Sequence, residues 1–302
     1  MDPGLASISG TLDYTVVLPP AIIKPPNAES ALNEGTTSSA TIDFQSSRSP
    51  HAEKFKELRT LCDLDEESFL NSIKMQKGWN AKGGKSKTSF VKTMDEIFVI
   101  KEITQKDYRH FVDDIGVKYF DYLEKCRESN EPTCIAKIFG IYKVKNHLNK
   151  TKYWIVMENI TAGKGNNTVY DIKGKLGRNV VDTEDQQRVR FEEEFIMDVK
   201  NHSLYINQAS KEVLQRALLN DTKFLKDVNV MDYSLLVWID NETQQMHCGV
   251  IDYLGSYDFA KMLECFVKSL LIACVCNDQL PTVVKPTTYQ SRFIDFINNE
   301  FK

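Results

Sequence analysis

The chain has 302 residues, 42% hydrophobic and 10% aromatic, which is enough for one sizeable core or two coupled lobes and excludes a fibre. A formal net charge of -4 excludes a global field that draws the molecule to nucleic acid or to an anionic membrane, so any basic docking face is local and no nucleic-acid partner is expected. Seven scattered cysteines, odd in number and without paired CxxC spacing, point to reduced core thiols instead of a zinc site.

Residues 1–50 hold Pro3, Pro19, Pro20, Pro25, Pro26 and Pro50 and a Ser/Thr-rich stretch from Ser38 to Ser49, which predicts a disordered arm. The N-terminus has no basic run followed by an apolar one. The most apolar run, Leu270 to Cys276, is far shorter than the roughly 20 residues that span a bilayer. These features predict a cytoplasmic chain.

From His51, Phe55, Leu58 and Leu61 or Cys62 fall at helical spacing, and a second helix is expected from Glu66 to Met75. Gly83 and Gly84 lead into the strand-like runs Thr88 to Thr93 and Ile97 to Ile103, a hairpin pattern. A charged helical segment, Lys106 to Cys126, puts Phe111, Ile115, Tyr119 and Tyr122 on one face. Strands follow at Ile135 to Val144 and Tyr153 to Glu158. After a polar connection, Asn159 to Asn167, come a strand at Val169 to Lys173 and helices over roughly 190–227. Apolar strand runs at Val230 to Ile239 and Met246 to Tyr253 precede helices at 258–272 and 287–301.

The chemistry-bearing residues fall in the order that phosphoryl transfer requires: amides over phosphates, a lysine on the nucleotide, and carboxylates for magnesium and for the attacking hydroxyl. Gly83-Gly84-Lys85-Ser86 can bring backbone N–H groups close to phosphate, though alone it also reads as an ordinary turn. Lys101 closes the strand from Phe98. Asp107 either pairs with Lys101 or caps the helix that it begins. Asp232 and Asp252 are embedded in apolar strand-like sequence, where a charge is costly unless it serves a ligand. The hairpin between them brings both carboxylates to one end of the strands. The H-R-D, D-F-G and A-P-E strings of protein kinases are missing, and Gly84-Lys85-Ser86 lacks the spacing and the preceding strand of a P-loop.

Three strings resemble the phosphatidylinositol phosphate kinase family: Tyr170-Asp171-Ile172-Lys173-Gly174, Met231 to Val237, and Val250-Ile251-Asp252-Tyr253. The likeness runs from about His51 to Phe301. Within the family the chain looks most like the type III, PIKfyve-like phosphatidylinositol 3-phosphate 5-kinases, through Trp79 to Ser86, Tyr257-Asp258 to Leu263-Glu264, and Leu280 to Val284 with Tyr289 and Arg292-Phe293.

The resemblance implies an α+β fold of two lobes, about 51–160 and 161–302, each on an antiparallel sheet with an ATP cleft between them. It implies ATP and Mg2+ as cofactors and phosphorylation of phosphatidylinositol 3-phosphate at the 5-hydroxyl, by a protein held peripherally on endosomal or vacuolar membranes. Asp232, Lys173 and Asp171 are then catalytic, and Asp252 binds the metal. Gly83, Gly84, Lys85, Ser86, Lys101, Asp107 and Leu236 meet the nucleotide. Lys261, Lys268, Lys285 and Arg292 form a local basic cluster for substrate or membrane.

The chain departs from the family pattern at Lys175 (usually Ser), Asp107 (usually Glu), Trp238 (usually Gly) and in the specificity loop, Ile272 to Leu280. These departures motivate the alternative of an inactive scaffold of the same fold. The FYVE finger and chaperonin-like domain of type III enzymes are absent from the sequence, as expected of a fragment, a short isoform or a reduced family member.

Overall fold

Two sheets carry the fold, and the segment that stitches them together places the site. The computed structural model describes residues 13–19, 42, 44, 49–79, 90–145, 150–161, 168–178, 189–201, 204–240, 242–255 and 284–301. Gly83 to Ser86, the expected helix at 258–272, the loop at 272–280, and Lys261 and Lys268 lie outside the described residues.

The first sheet has five strands: β2 (Gln76–Trp79), β3 (Phe90–Thr93), β4 (Phe98–Ile103), β5 (Ile138–Lys145) and β6 (Thr151–Glu158). Its order is β2-β3-β4-β6-β5 and every pairing is antiparallel. Two helices, α1 (Ala52–Leu61) and α2 (Glu66–Lys74), precede it. Asp65 caps α2 by accepting from the Ser68 amide at 2.9 Å. The buried Arg59 guanidinium binds Glu66 and donates to the Phe139 carbonyl at 2.6 Å, tying both helices to β5.

Between β4 and β5 run α3 (Gln105–His110), a π-helical turn (Phe111–Ile115) and α4 (Gly116–Glu128). The expected single helical face is realised by Phe111, Ile115 and Tyr119, all buried. Their four-residue spacing drifts on a regular 3.6-residue helix, and the wider turn absorbs part of the drift.

The second sheet has the order β8-β7-β10-β11-β1-β9. Its antiparallel centre is β7 (Thr168–Ile172), β10 (Ser234–Asp240) and β11 (Gln245–Ile251). Parallel pairings attach β8 (Val189–Arg190), β1 (Asp13–Val17) and β9 (Tyr205–Ile206) at its edges. α5 (Glu192–Lys200), α6 (Gln208–Asp227) and α7 (Pro286–Glu300) complete the described elements. Among the described residues no helix is long and apolar enough to cross a membrane.

Two sequence expectations change. Asp13–Val17 is a strand, although it lies in the arm expected to be disordered; it pairs in parallel with β11. β10 begins at Ser234, not Val230, so Asp232 precedes the strand, and Asp252 follows β11. Both aspartates have left-handed backbones, φ 67° and 60°, which a regular strand does not accommodate.

The stitch runs from Cys134 to Lys137. The Cys134 carbonyl accepts from the Val250 amide at 2.7 Å and the Ala136 amide donates to the Val250 carbonyl at 3.0 Å, while the Lys137 carbonyl accepts from the Glu158 amide at 2.9 Å. One stretch thus hydrogen-bonds to β11 and to β6, and the buried side chains of both sheets form one continuous core.

Candidate active site

Where the two sheets meet, a cleft of about 260 Å³ is lined by Lys101, Asp107, Lys173, Met231, Asp232 and Asp252, with Ile138, Ile155 and Met157 among its apolar residues. Charged groups on an apolar floor suit a ligand with a planar apolar part and an anionic part.

Lys101 comes from β4, opposite Phe90 and Ile155. Its Nζ lies 2.6 Å from Asp252 Oδ1. The strand continues to Ile103, so Lys101 sits within it and not at its end. Asp107 does not pair with Lys101: its carboxylate accepts from Thr104 Oγ at 2.7 Å, and Thr104 Oγ accepts from the Asp107 amide at 3.1 Å. The cap of α3 is therefore Thr104, and Asp107, in the first turn, neither pairs with Lys101 nor caps the helix itself.

Lys173, just past β7, makes the second pair. Its Nζ is 2.8 Å from Asp232 Oδ1 and 2.8 Å from the Asp232 carbonyl. The register Ser234 opposite Ile251 sets Asp232 and Asp252 at the same end of the β10–β11 hairpin, as the sequence predicted. Side-chain exposure is 21% for each lysine, 46% for Asp232 and 43% for Asp252, so both carboxylates face solvent in the cleft.

The loop from Asp252 to Gly255 is held at each residue. Asp252 meets Lys101, the Tyr253 hydroxyl donates to the Ala136 carbonyl at 2.6 Å, the Leu254 carbonyl faces His110 Nδ1 at 3.1 Å, and the Gly255 carbonyl accepts from the Met231 amide at 3.3 Å. Burial pushes the Tyr253 phenol well above its usual range, so it stays a donor across physiological pH. Left-handed aspartates held by several independent contacts are the kind of strained backbone that clusters at functional sites.

Sequence reading missed three supports. Glu192, fully buried, accepts from the Lys173 amide at 2.7 Å and the Lys175 amide at 3.1 Å. Arg178 bridges Glu192 (3.4 Å) and Asp171 (3.2 Å) and covers the Phe191 ring at 4.3 Å. The Tyr289 hydroxyl on α7 donates to the Tyr233 carbonyl, beside Asp232. Glu192 heads a run of three glutamates that reads as an ordinary acidic helix start, and only its burial sets it apart.

Four other expected site residues that the structure describes lie outside the cleft lining. Asp171 is held by Arg178, and Leu236 sits within β10 between Asp171 and Gly249. Lys285 is exposed at the start of α7. Arg292 is half-buried over the Tyr289 ring at 4.9 Å, and its backbone packs on Gly174, whose φ of 67° and close neighbours leave no room for a Cβ.

Comparison with known proteins places the chain in a family. The model of the family described as phosphatidylinositol-4-phosphate 5-kinase matches residues 76–247 and 239–300. A protein of Arabidopsis thaliana named provisionally as a 1-phosphatidylinositol-3-phosphate 5-kinase is 38% identical over 83% of this chain and 18% of its own length. The 1-phosphatidylinositol 3-phosphate 5-kinases of Saccharomyces cerevisiae and Homo sapiens are each 33% identical, over 80% and 83% of this chain and 11% and 12% of their own length. The chain therefore spans less than a fifth of the length of these relatives.

Proposed function

The chain belongs to the phosphatidylinositol phosphate kinase family, and on that premise we propose that it transfers the γ-phosphoryl group of ATP to the 5-hydroxyl of phosphatidylinositol 3-phosphate. The observation that carries this reading is the pair of lysine–aspartate contacts, Lys101–Asp252 and Lys173–Asp232, facing one cleft.

In this reading ATP lies between a first lobe of about 51–160 and a second of about 161–302, and Ile138, Ile155 and Met157 supply apolar contact to the base. Lys101 holds the α and β phosphates. Asp252, a hard and half-exposed oxygen donor, fits Mg2+, which binds through one or two carboxylates together with phosphate oxygens and water. When bound, that ion neutralises charge on the β and γ phosphates.

Asp232 accepts the proton of the inositol hydroxyl as its oxygen bonds to the γ-phosphorus and the bond from that phosphorus to the bridging oxygen of ADP breaks. Lys173, on the same carboxylate, supplies positive charge to the phosphoryl oxygens in transit. Arg178, Asp171 and Glu192 hold Lys173 in place. Gly83 to Ser86 cover the phosphates, Asp107 and Leu236 shape the nucleotide pocket, and Lys261, Lys268, Lys285 and Arg292 meet the anionic lipid at an endosomal or vacuolar surface.

The kinase names of the relatives speak against the scaffold alternative. The family model is named for the 4-phosphate lipid and the relatives for the 3-phosphate lipid, so the test offers both. Purified chain with labelled ATP and Mg2+ is incubated with vesicles carrying each monophosphorylated phosphatidylinositol in turn. Label on the 3-phosphate lipid, mapped to the 5-hydroxyl, supports the assignment. Label on another lipid only would move the specificity, and none on any lipid from folded protein would favour the scaffold.

A further inference from the structure

We propose that His110 is a positioning residue for the Asp252 loop, acting through the Leu254 carbonyl; this rests on the kinase reading above. His110 ends α3, immediately before the π-helical turn, and its Nδ1 lies 3.1 Å from Leu254 O. A carbonyl oxygen only accepts, so Nδ1 carries the hydrogen, which fixes the tautomer of the neutral ring.

The neighbouring helices show why the contact sits there. The π turn changes the phase between α3 and α4. α4 buries Tyr119 and Phe120, while α3 lays Tyr108 against Tyr153 of β6 at 4.7 Å and brings His110 to the loop.

The other tethers of the loop arise elsewhere: Lys101 from β4, Ala136 from the stitch, and Met231 from the turn before Asp232. His110 is the tether that α3 contributes. Because Gly255 is bonded to Met231, one residue before Asp232, a loop released at Leu254 loosens both aspartates together. His110 thereby couples the orientation of α3 to the spacing of the metal-side and hydroxyl-side carboxylates.

The experiment compares the chain with His110→Ala and His110→Asn, the asparagine amide offering a donor close to where Nδ1 stands. Hydrogen exchange without nucleotide or metal reads the Met231 amide, which donates to the Gly255 carbonyl, with β5 and β6 as internal controls. We expect exchange at the Met231 amide to rise about three- to tenfold in His110→Ala, the factor that one net hydrogen bond is worth, and to return toward wild type in His110→Asn. In the transfer assay, His110→Ala should need several-fold more Mg2+ for half-maximal rate.

Unchanged exchange in His110→Ala, acceleration spread evenly over the controls, or failure of His110→Asn to restore protection would each overturn the proposal. Absence of transfer by the wild type would instead remove the kinase reading while leaving the exchange result to be judged by itself.

Discussion

Lys173 grips Asp232 twice, its Nζ lying 2.8 Å from the carboxylate and 2.8 Å from the backbone carbonyl of the same residue. A single ammonium thus orients the side chain and supports the left-handed backbone, φ 67°, that aims it into the cleft. Replacing Lys173 with Met removes both contacts and the positive charge. Transfer should fall by at least about 100-fold, as when one donor to a developing anion is removed. A steady-state assay on lipid vesicles checks this; a loss confined to the lipid KM would argue for simple binding instead.

Asp252→Asn should separate chemistry from stability. The Asp252 side chain is 43% exposed, and ion pairs this open contribute about 1 kcal/mol or less. The variant should therefore melt within a few degrees of wild type while losing at least about 100-fold in turnover. Calorimetry beside the transfer assay measures both.

Tyr289→Phe probes the support beneath Asp232. The Tyr289 hydroxyl is buried and donates to the Tyr233 carbonyl, so its removal leaves a buried acceptor unpaired. We expect a loss of about 1–3 kcal/mol in urea denaturation and reduced turnover in the folded variant. A change in stability without any change in turnover would show that Asp232 does not depend on this contact.

Asp221 gives the fold a pH dependence of its own. Fully buried on α6, its carboxylate accepts from Tyr122, from Thr133 at 2.6 Å and from the Cys134 amide at 2.6 Å, yet burial still pushes its pKa up to about 6. The folded state thus holds a proton that the unfolded chain, titrating near 3.8, has released. This contribution is fully present below about pH 4 and falls as pH rises to about 6, by on the order of 3 kcal/mol. Asp221→Asn lacks the titration, so the stability difference, wild type minus variant, should decline over that interval and flatten above it. Denaturation midpoints from pH 4 to 8 measure it; a difference independent of pH would contradict the account.

Much of the site was legible because its residues sit in distinctive strings. Met231 to Val237 and Val250 to Tyr253 located both aspartates, and the hairpin between them implied a shared end. Their left-handed backbones were not legible, since apolar periodicity reports the alternation of side chains and says nothing about the sign of φ at a strand end. Asp13–Val17 was hidden for another reason. It is a β-branched and aromatic run of the strand-forming kind, but the prolines around it dominate the composition, and its partner β11 lies more than 220 residues away in sequence. The π turn has no signature in residue type, and it places His110. Glu192 looks like its neighbours Glu193 and Glu194 until the fold buries it.

The most direct measurement is transfer of label from γ-labelled ATP to phosphatidylinositol 3-phosphate vesicles by the purified chain, with Asp232→Asn and Asp252→Asn run alongside. The account predicts labelled bisphosphorylated lipid from wild type and at least about a 100-fold loss in each variant while both remain folded. Equal transfer by wild type and either variant would contradict it.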